Sequence, residues 1–302
     1  MATTFNISSL PDYVNAHSDE LLVKASLGSK TLEYVAIAAN VKYKDEVDAL
    51  DSAVVLADGS ECSWDPAGSD TLSPIILEDH PVKVNKEWCN KSLRKKAAGH
   101  QLMWEAGRIS LQYEEQFANS NVAAIQESVE TMVWQGNTGA SVTGFIADAA
   151  TASASTTELG SGSTATAVID AAVAAVDARM LKLGVNIFVS DTLFRNYIQE
   201  QNASCCANRP IQDAAVADYK YLGDSRITII PVQGLEGASV AAVAASKRAL
   251  IYVTDIENSE NVYKMWNDDK TDETNFKVEF LAGTAIAFAD EVKVITVAAA
   301  GE

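Results

Sequence analysis

The stretch Leu111–Asn137, LQYEEQFANSNVAAIQESVETMVWQGN, sets the frame for the segments around it. Val122, Ile125, Val129, Met132 and Val133 recur at helical spacing, Glu114 and Glu115 suit a helix start, and Gly136-Asn137 is a stop signal. At 1.5 Å per residue, a helix over 111–136 is a rod of roughly 35 Å. A rod with one apolar stripe needs a second layer to cover it. The closing segment can supply that layer. Phe276, Val278 and Phe280 alternate with Lys277 and Glu279; Ile286 and Phe288 read as a second strand after Ala282-Gly283, and Val292 and Val294 as a third. The expectation is a helix packed on Phe276, Val278, Phe280, Ile286 and Phe288, with Gln126 on its opposite, surface-facing side.

Downstream of the rod, residues 136–166 are rich in Gly, Ala, Ser and Thr and read as a loop or extended crossing between two lobes. From 166 the character changes. A helix Thr166–Leu183 (Ile169, Val173, Val176, Met180) stops at Gly184, a strand Val185–Val189 follows, and Ser190-Asp191 caps a helix Thr192–Gln201. With strands Arg226–Val232 and Ala249–Thr254, this makes a compact α/β lobe over 166–254.

Upstream, residues 1–30 read as a polar arm with one short helical patch (Leu21, Leu22, Ala25) ended by Gly28. Such a patch is unstable alone and must dock on the body or on a neighbour. Residues 31–90 read as extended structure, with Val35, Ile37, Ala39 and Val41 alternating. Two apolar runs, Ala53–Leu56 and Pro74–Leu77, flank the turn-rich stretch Asp58–Asp70 and form the limbs of a long hairpin. A two-stranded hairpin is marginal in water, and Trp64 at its tip is costly to leave in solvent. The hairpin is therefore expected to lie across another chain. A strand with Val82 and Val84 on one face leads into a basic cluster of Lys83, Lys86, Lys91, Arg94, Lys95 and Lys96, opposed by Glu87 alone. Two readings stand for this cluster: contact with an acidic subunit surface or packaged nucleic acid, or a solvated face. The candidates for contact between subunits are Trp64, Asp65 and Pro66 with these six basic residues.

Composition narrows the function. The chain has 302 residues, 23 basic against 41 acidic, for a net charge of −18. That excludes nucleic-acid binding driven by overall charge. Hydrophobic residues make up 48%, enough for a core. Met1–Pro11 lacks the pattern of a signal peptide, and the apolar windows Ala165–Val176 and Val240–Ala245 fall far short of the ~20 residues that span a bilayer. A soluble protein made in the cytoplasm is expected, without membrane contact. Cys62, Cys89 and the vicinal Cys205-Cys206 make no disulfide framework, so a reducing compartment is expected. His17, His80 and His100 are scattered without metal-ligand spacing. Leu159–Thr164 lacks the lysine of a phosphate loop. The acids Asp255, Glu257, Glu260, Asp268, Asp269, Asp272 and Glu273 match no calcium loop and read as a solvated face. No catalytic, cofactor-binding or metal site is expected, no cofactor, and no enzymatic activity.

In order, arm, hairpin, basic turn, rod, α/β lobe and closing strands resemble the major capsid proteins of tailed bacteriophages, which have the Hong Kong 97-like fold. Three stretches carry the likeness, most of all to phages and prophages of Bacteroidetes-type hosts. They are VKYKDEVDALDSAVVLADGSECSWDPAGSDTLSPIILEDHPVKVNKEWCNKSLRKK (Val41–Lys96), with its Cys-x-Trp tip and Lys-Val-Asn strand; the rod closing on Val-Trp-Gln-Gly; and NVYKMWNDDKTDETNFKVEFLAGTAIAFADEVKVI (Asn261–Ile295). The resemblance implies an α+β fold with an N-terminal arm (1–30), an extended hairpin or E-loop (31–90), a P-domain holding the spine helix (91–165 and 255–302) and an A-domain (166–254). It implies a structural protein that self-assembles, as hexamers and pentamers, into an icosahedral shell around double-stranded DNA without sequence-specific binding. The partners implied are portal and scaffolding proteins and decoration or auxiliary capsid proteins; the location is the virion, after synthesis in the bacterial cytoplasm. The cross-linking Lys/Asn pair of one branch of that family has no counterpart here. Two other functions remain open at this point: an encapsulin-type nanocompartment shell around cargo enzymes, and an α/β enzyme built on 166–254.

Overall fold

A computed structural model describes residues 9–41, 44–54, 68–105, 113–203, 211–212, 219–221, 224–255, 262–268 and 270–298. The chain begins with helices α1 (Ser9–Ala16) and α2 (Ser18–Leu27), then strand β1 (Ala36–Ala39), the hairpin strands β2 (Lys44–Val54) and β3 (Gly68–Glu78), and strand β4 (His80–Cys89). Helices α3 (Asn90–Glu105), α4 (Tyr113–Gln135) and α5 (Phe145–Thr151) follow, then β5 (Ser155–Leu159), α6 (Ala165–Ala174), α7 (Ala178–Leu183), β6 (Val185–Ser190) and α8 (Asp191–Ala203). The remaining strands are β7 (Ile211–Gln212), β8 (Tyr219–Tyr221), β9 (Asp224–Val232), β10 (Ala242–Ser246), β11 (Leu250–Thr254), β12 (Val262–Asp268), β13 (Glu273–Ile286) and β14 (Val292–Val297).

The described residues form three sheets. A five-stranded sheet runs β1-β11-β13-β12, with β4 also paired to β13. A seven-stranded sheet runs β5-β14-β10-β6-β9-β8-β7, and β2 with β3 forms a two-stranded sheet of its own. The rod is α4, and its stripe is buried as expected: Val122, Ile125, Val129, Met132 and Val133 lie in one core with Phe276, Val278 and Phe280, and Ile286 and Phe288 pack against that core.

Helix α4 is covered by more than the closing sheet. Helices α1 and α2 also pack on it, so the arm is not one patch but two helices docked on their own body. Leu10, Val14, Leu21 and Ala25 enter the core. Asn15 exchanges two hydrogen bonds with the backbone of Met265, donating at 2.9 Å and accepting at 3.0 Å, which closes the outer edge of β12. Gln126, expected to face the surface, instead donates to the carbonyl of Lys24 at 2.8 Å and holds the end of α2. Glu130 is buried at 4% exposure. The Thr31 backbone N–H (3.1 Å) and the Thr31 hydroxyl both donate to its carboxylate. The Trp134 indole donates to the Thr31 oxygen at 2.7 Å. On a further side, Gly234 lies against α4 so closely that a Cβ there would sit 2.3 Å from the Glu130 carbonyl. Gln135 then fastens that turn by donating to the carbonyls of Gly234 (2.8 Å) and Glu236 (3.0 Å).

Several expected elements differ. Residues 136–166 are not a plain crossing, because Phe145 and Ala149, one turn apart, are buried and Phe145 meets Trp134 edge-on at 5.6 Å. That contact makes α5 a helix despite its low-complexity surroundings, and Ser155–Leu159 then pairs in parallel with β14. The expected helix 166–183 is broken into α6 and α7, because Asp177 is in an extended conformation. Ser190 caps α8 as expected, accepting from the Leu193 N–H at 3.2 Å. Ile286 belongs to no separate strand: β13 runs unbroken through Gly283, pairing first with β4 and β12 and then with β11. The strands Ala249–Thr254 and Val292–Val297 exchange places relative to expectation. The first joins the five-stranded sheet, and the second lies between β5 and β10 in the seven-stranded one. Strands β10 and β12 were not foreseen. In the expected alternation Val35 and Val41 point inward, whereas Ile37 is 44% exposed. Asp255 is buried and so leaves the acidic face.

Glu291, 2% exposed, fastens the start of β14. Ser246 donates to it at 2.5 Å and Arg248 by Nε at 3.0 Å and again by Nη2; Arg179 stands 3.8 Å away. Burial pushes its carboxyl up, but the bonds from Arg248 and Ser246 and the two guanidinium charges prevail and hold it below the usual carboxylate range. Arg248 also stacks over the Phe288 ring at 4.6 Å.

Two outcomes are expected. Ile125→Ala should cost about 2–5 kcal/mol in chemical denaturation, the range for emptying a packed site, whereas Glu127→Ala on the exposed strip should leave stability within about 0.5 kcal/mol. A carboxyl depressed in the folded state stabilises fully above its unfolded value, near 4.5, and that stability is lost as pH falls through the folded value. Glu291→Gln should therefore lower the melting temperature at neutral pH and flatten its decline below about pH 4.5, measured by calorimetry across pH.

Candidate assembly surface

The hairpin stands apart from the core. Strands β2 and β3 pair in register from Lys44↔Glu78 to Val54↔Gly68. Eleven residues per strand give a ribbon of about 35 Å. The two apolar runs do not face each other: Pro74–Leu77 lies opposite Asp45–Asp48, and Ala53-Val54 lies opposite Gly68-Ser69. The first run serves the foot. Leu77 is buried with Val41, Val253 and Ala285, and Ile75 packs beside them. Lys44 pairs with Glu78 at 2.8 Å, and this hydrogen bond, with the ammonium charge, keeps the Glu78 carboxyl below its ordinary range. The foot can press on β13 because Gly283 has no side chain: a Cβ there would meet the Glu78 carbonyl at 1.9 Å.

Around the foot, the described residues of the ribbon fall on two faces. Directly paired residues share a face, so Glu46 and Asp48 lie with Ile76 and Pro74, while Asp45 and Val47 lie with Leu77 and Ile75. Ile76 is 50% exposed and Val47 45%. Asp45, Glu46 and Asp48 are exposed, and none has an ion-pair partner among the described residues. The expected tip residues Trp64, Asp65 and Pro66 lie outside the described residues, as do Cys62, Cys205 and Cys206.

The structure divides the six basic candidates. Lys86 shares the inward face of β4 with Val82, Val84 and Trp88 and donates to Asn121 of α4 at 3.1 Å. Its charge therefore serves the sheet–helix contact within the chain, as the alternation of β4 demands. Lys83 is on the outward face opposite Glu279. Lys91, Arg94, Lys95 and Lys96 are exposed on α3. Helix α3 docks through Leu93 and Ala97, both buried. Its first residue is pinned: the Asn90 backbone N–H donates to Asp272 at 3.0 Å, its side chain donates to the Asp272 carboxylate at 3.1 Å, and Thr274 donates to the Asn90 side chain at 2.6 Å. Lys96 borders an open cleft of about 630 Å³ with His100, Tyr113 and Phe117. Burial raises the Tyr113 phenol above its ordinary range. The three histidines lie in separate places, and among the described residues no group of three or more His, Cys, Asp or Glu is arranged to hold a metal. No described helix is long and apolar enough to cross a membrane.

No protein-family model matches the chain, and no curated protein does. Solved structures do match along nearly its whole length. The chain is similar to the satellite phage P4 procapsid, with a TM-score of 0.59 at 10% identity, covering 93% of this chain and 100% of that one. It is similar to Mycobacterium phage Cain, with a TM-score of 0.55 at 13% identity over 98% and 99%. It is also similar to the capsid of an empty GTA particle, with a TM-score of 0.52 at 13% identity over 91% and 90%. The fold is therefore that of phage capsid subunits, and the expected Hong Kong 97-like α+β class holds.

The acidic run in β2 was missed by reading only its apolar residues, although KDEVDALD (Lys44–Asp51) displays it plainly.

A local test follows from the foot. Leu77→Ala should speed amide exchange in β2 and β3 by about tenfold or more while leaving the α4 amides protected, because it loosens a satellite cluster and not the main core.

Proposed function

We propose that this chain is the major capsid protein of a tailed bacteriophage, self-assembling as hexamers and pentamers into an icosahedral shell around double-stranded DNA. One observation carries the reading: a fold shared over nearly the whole chain with solved phage capsid chains, beside a hairpin that pairs with no further strand among the described residues. A structural role accords with this, and the absence of catalysis, the virion location, synthesis in the host cytoplasm, and portal, scaffolding or decoration partners are proposed with it. The arm is 1–30, the extended loop 31–90, the P-domain 91–165 with 255–302 and the A-domain 166–254. Within that division β1, β4 and β11 complete the P-domain sheet, and β5 and β14 complete the A-domain sheet. The net charge of −18 suits a wall that repels packaged DNA, itself carrying one negative charge per ~1.7 Å of axis.

Expressed alone or with scaffolding protein, the chain should form closed particles in negative-stain micrographs. Particles from the natural source should hold nuclease-protected double-stranded DNA; protein cargo in its place would support the nanocompartment reading, and a chain that stays monomeric under all conditions would overturn both. Replacing residues 57–72 with a short Gly-Ser turn should leave the melting transition unchanged and abolish particles.

A further inference from the structure

Helix α3 presents its charge in one direction. At 100° per residue, Leu93 and Ala97 define the docked side, and Lys91 and Lys95 fall on the opposite side, one turn apart. Arg94 and Lys96 flank them. Among the described residues none of these four cations has an ion-pair partner, although the chain is strongly acidic. The outer face of the hairpin is the counterpart. Glu46 and Asp48 stand on it around the half-exposed Ile76, again without a cationic partner among the described residues. The spacings agree: four residues on a helix advance about 6 Å, and two residues on a strand about 7 Å. Within one chain the two surfaces do not meet, since all four pairing side chains remain exposed.

We propose that the outer hairpin face of one copy seats on α3 of a second copy, with Glu46 and Asp48 against Lys91 and Lys95 and Ile76 covered between them. This rests on the shell-subunit reading and names its partner surface. The acids on the ribbon repel DNA, so the hairpin side of the contact is no DNA site, and DNA held by the lysines alone is an outcome the test separates. Each exposed pair is weak and is screened within about 10 Å at 0.1 M salt, so salt should oppose the contact. Repetition around a closed shell makes the sum large, and pinning of Asn90 at the helix start keeps the lysines in a fixed direction.

The test uses three full-length variants: Glu46→Lys with Asp48→Lys, Lys91→Glu with Lys95→Glu, and the fourfold combination, each checked for parent-like circular dichroism and melting. Each double reversal should raise the protein concentration needed for particles, read by sedimentation, about tenfold or more, and the combination should restore it toward the parent. If either double reversal melts early, the neutral pair Glu46→Gln with Asp48→Asn or Lys91→Gln with Lys95→Gln replaces it, with a smaller shift in the same direction. A parent that assembles beside double variants that assemble equally well would overturn the pairing and leave the shell reading intact. So would two defects that the combination does not relieve, or a lysine variant that forms normal shells but loses DNA. A parent that never forms particles would overturn the shell reading itself, before any variant is compared.

Discussion

Glu130 is a carboxylate buried in the last third of the amphipathic helix α4, and the docking of the arm on that helix depends on its being answered. An unpaired charge in such a place costs several kcal/mol. Thr31 answers it with both its N–H and its hydroxyl, and Trp134 completes the chain of donors through the Thr31 oxygen. Residues 99 positions apart are thereby locked together, and the arm that precedes Thr31 has one place to lie. The apolar contacts of α1 and α2 then bury what the polar contact has positioned. The result is a rod gripped by the arm, by the five-stranded sheet and by the Gly234 turn.

The two large sheets share chain rather than merely touching. The chain leaves the seven-stranded sheet at β10, enters the five-stranded one at β11, and returns at β14. Neither sheet can form without segments that also bind the other lobe to it. Glu291 stands at the return, held by Ser246 and Arg248 from the β10–β11 turn and faced by Arg179 from α7. Close-packed layers with many non-local pairings are slow to form, so such a joint favours a cooperative subunit over two independent lobes.

Charge on this protein is sorted by surface and not merely by number. Lys86 is used inside, by its place in the alternation of β4, while Lys91 and Lys95 are turned outward by the docking of Leu93 and Ala97. The hairpin carries Asp45, Glu46 and Asp48 exposed beside a foot whose Leu77 is buried. Its own chain holds it there, through Val41, Val253 and Ala285.

Periodicity and composition determined much by themselves. The spine helix, its inward stripe, its stop at Gly136, the Ser190 cap and the inward set Phe276, Val278 and Phe280 were legible because each depends on spacing within a single element. That the hairpin builds no core of its own was legible, because two strands cannot bury themselves. Which sheet a strand joins was not legible: β11 and β14 read alike, and only the path of the chain between lobes decides between them. Likewise α5 exists because Phe145 finds Trp134, and Gln126 holds Lys24 because the arm folds back. The alternation of β4 turns Lys86 inward, but that Asn121 of α4 meets it there was decided by the tertiary structure. Local pattern sets which face of an element is apolar; the tertiary structure decides which distant residue meets it, because pairing energy lies in contacts between segments that the sequence separates.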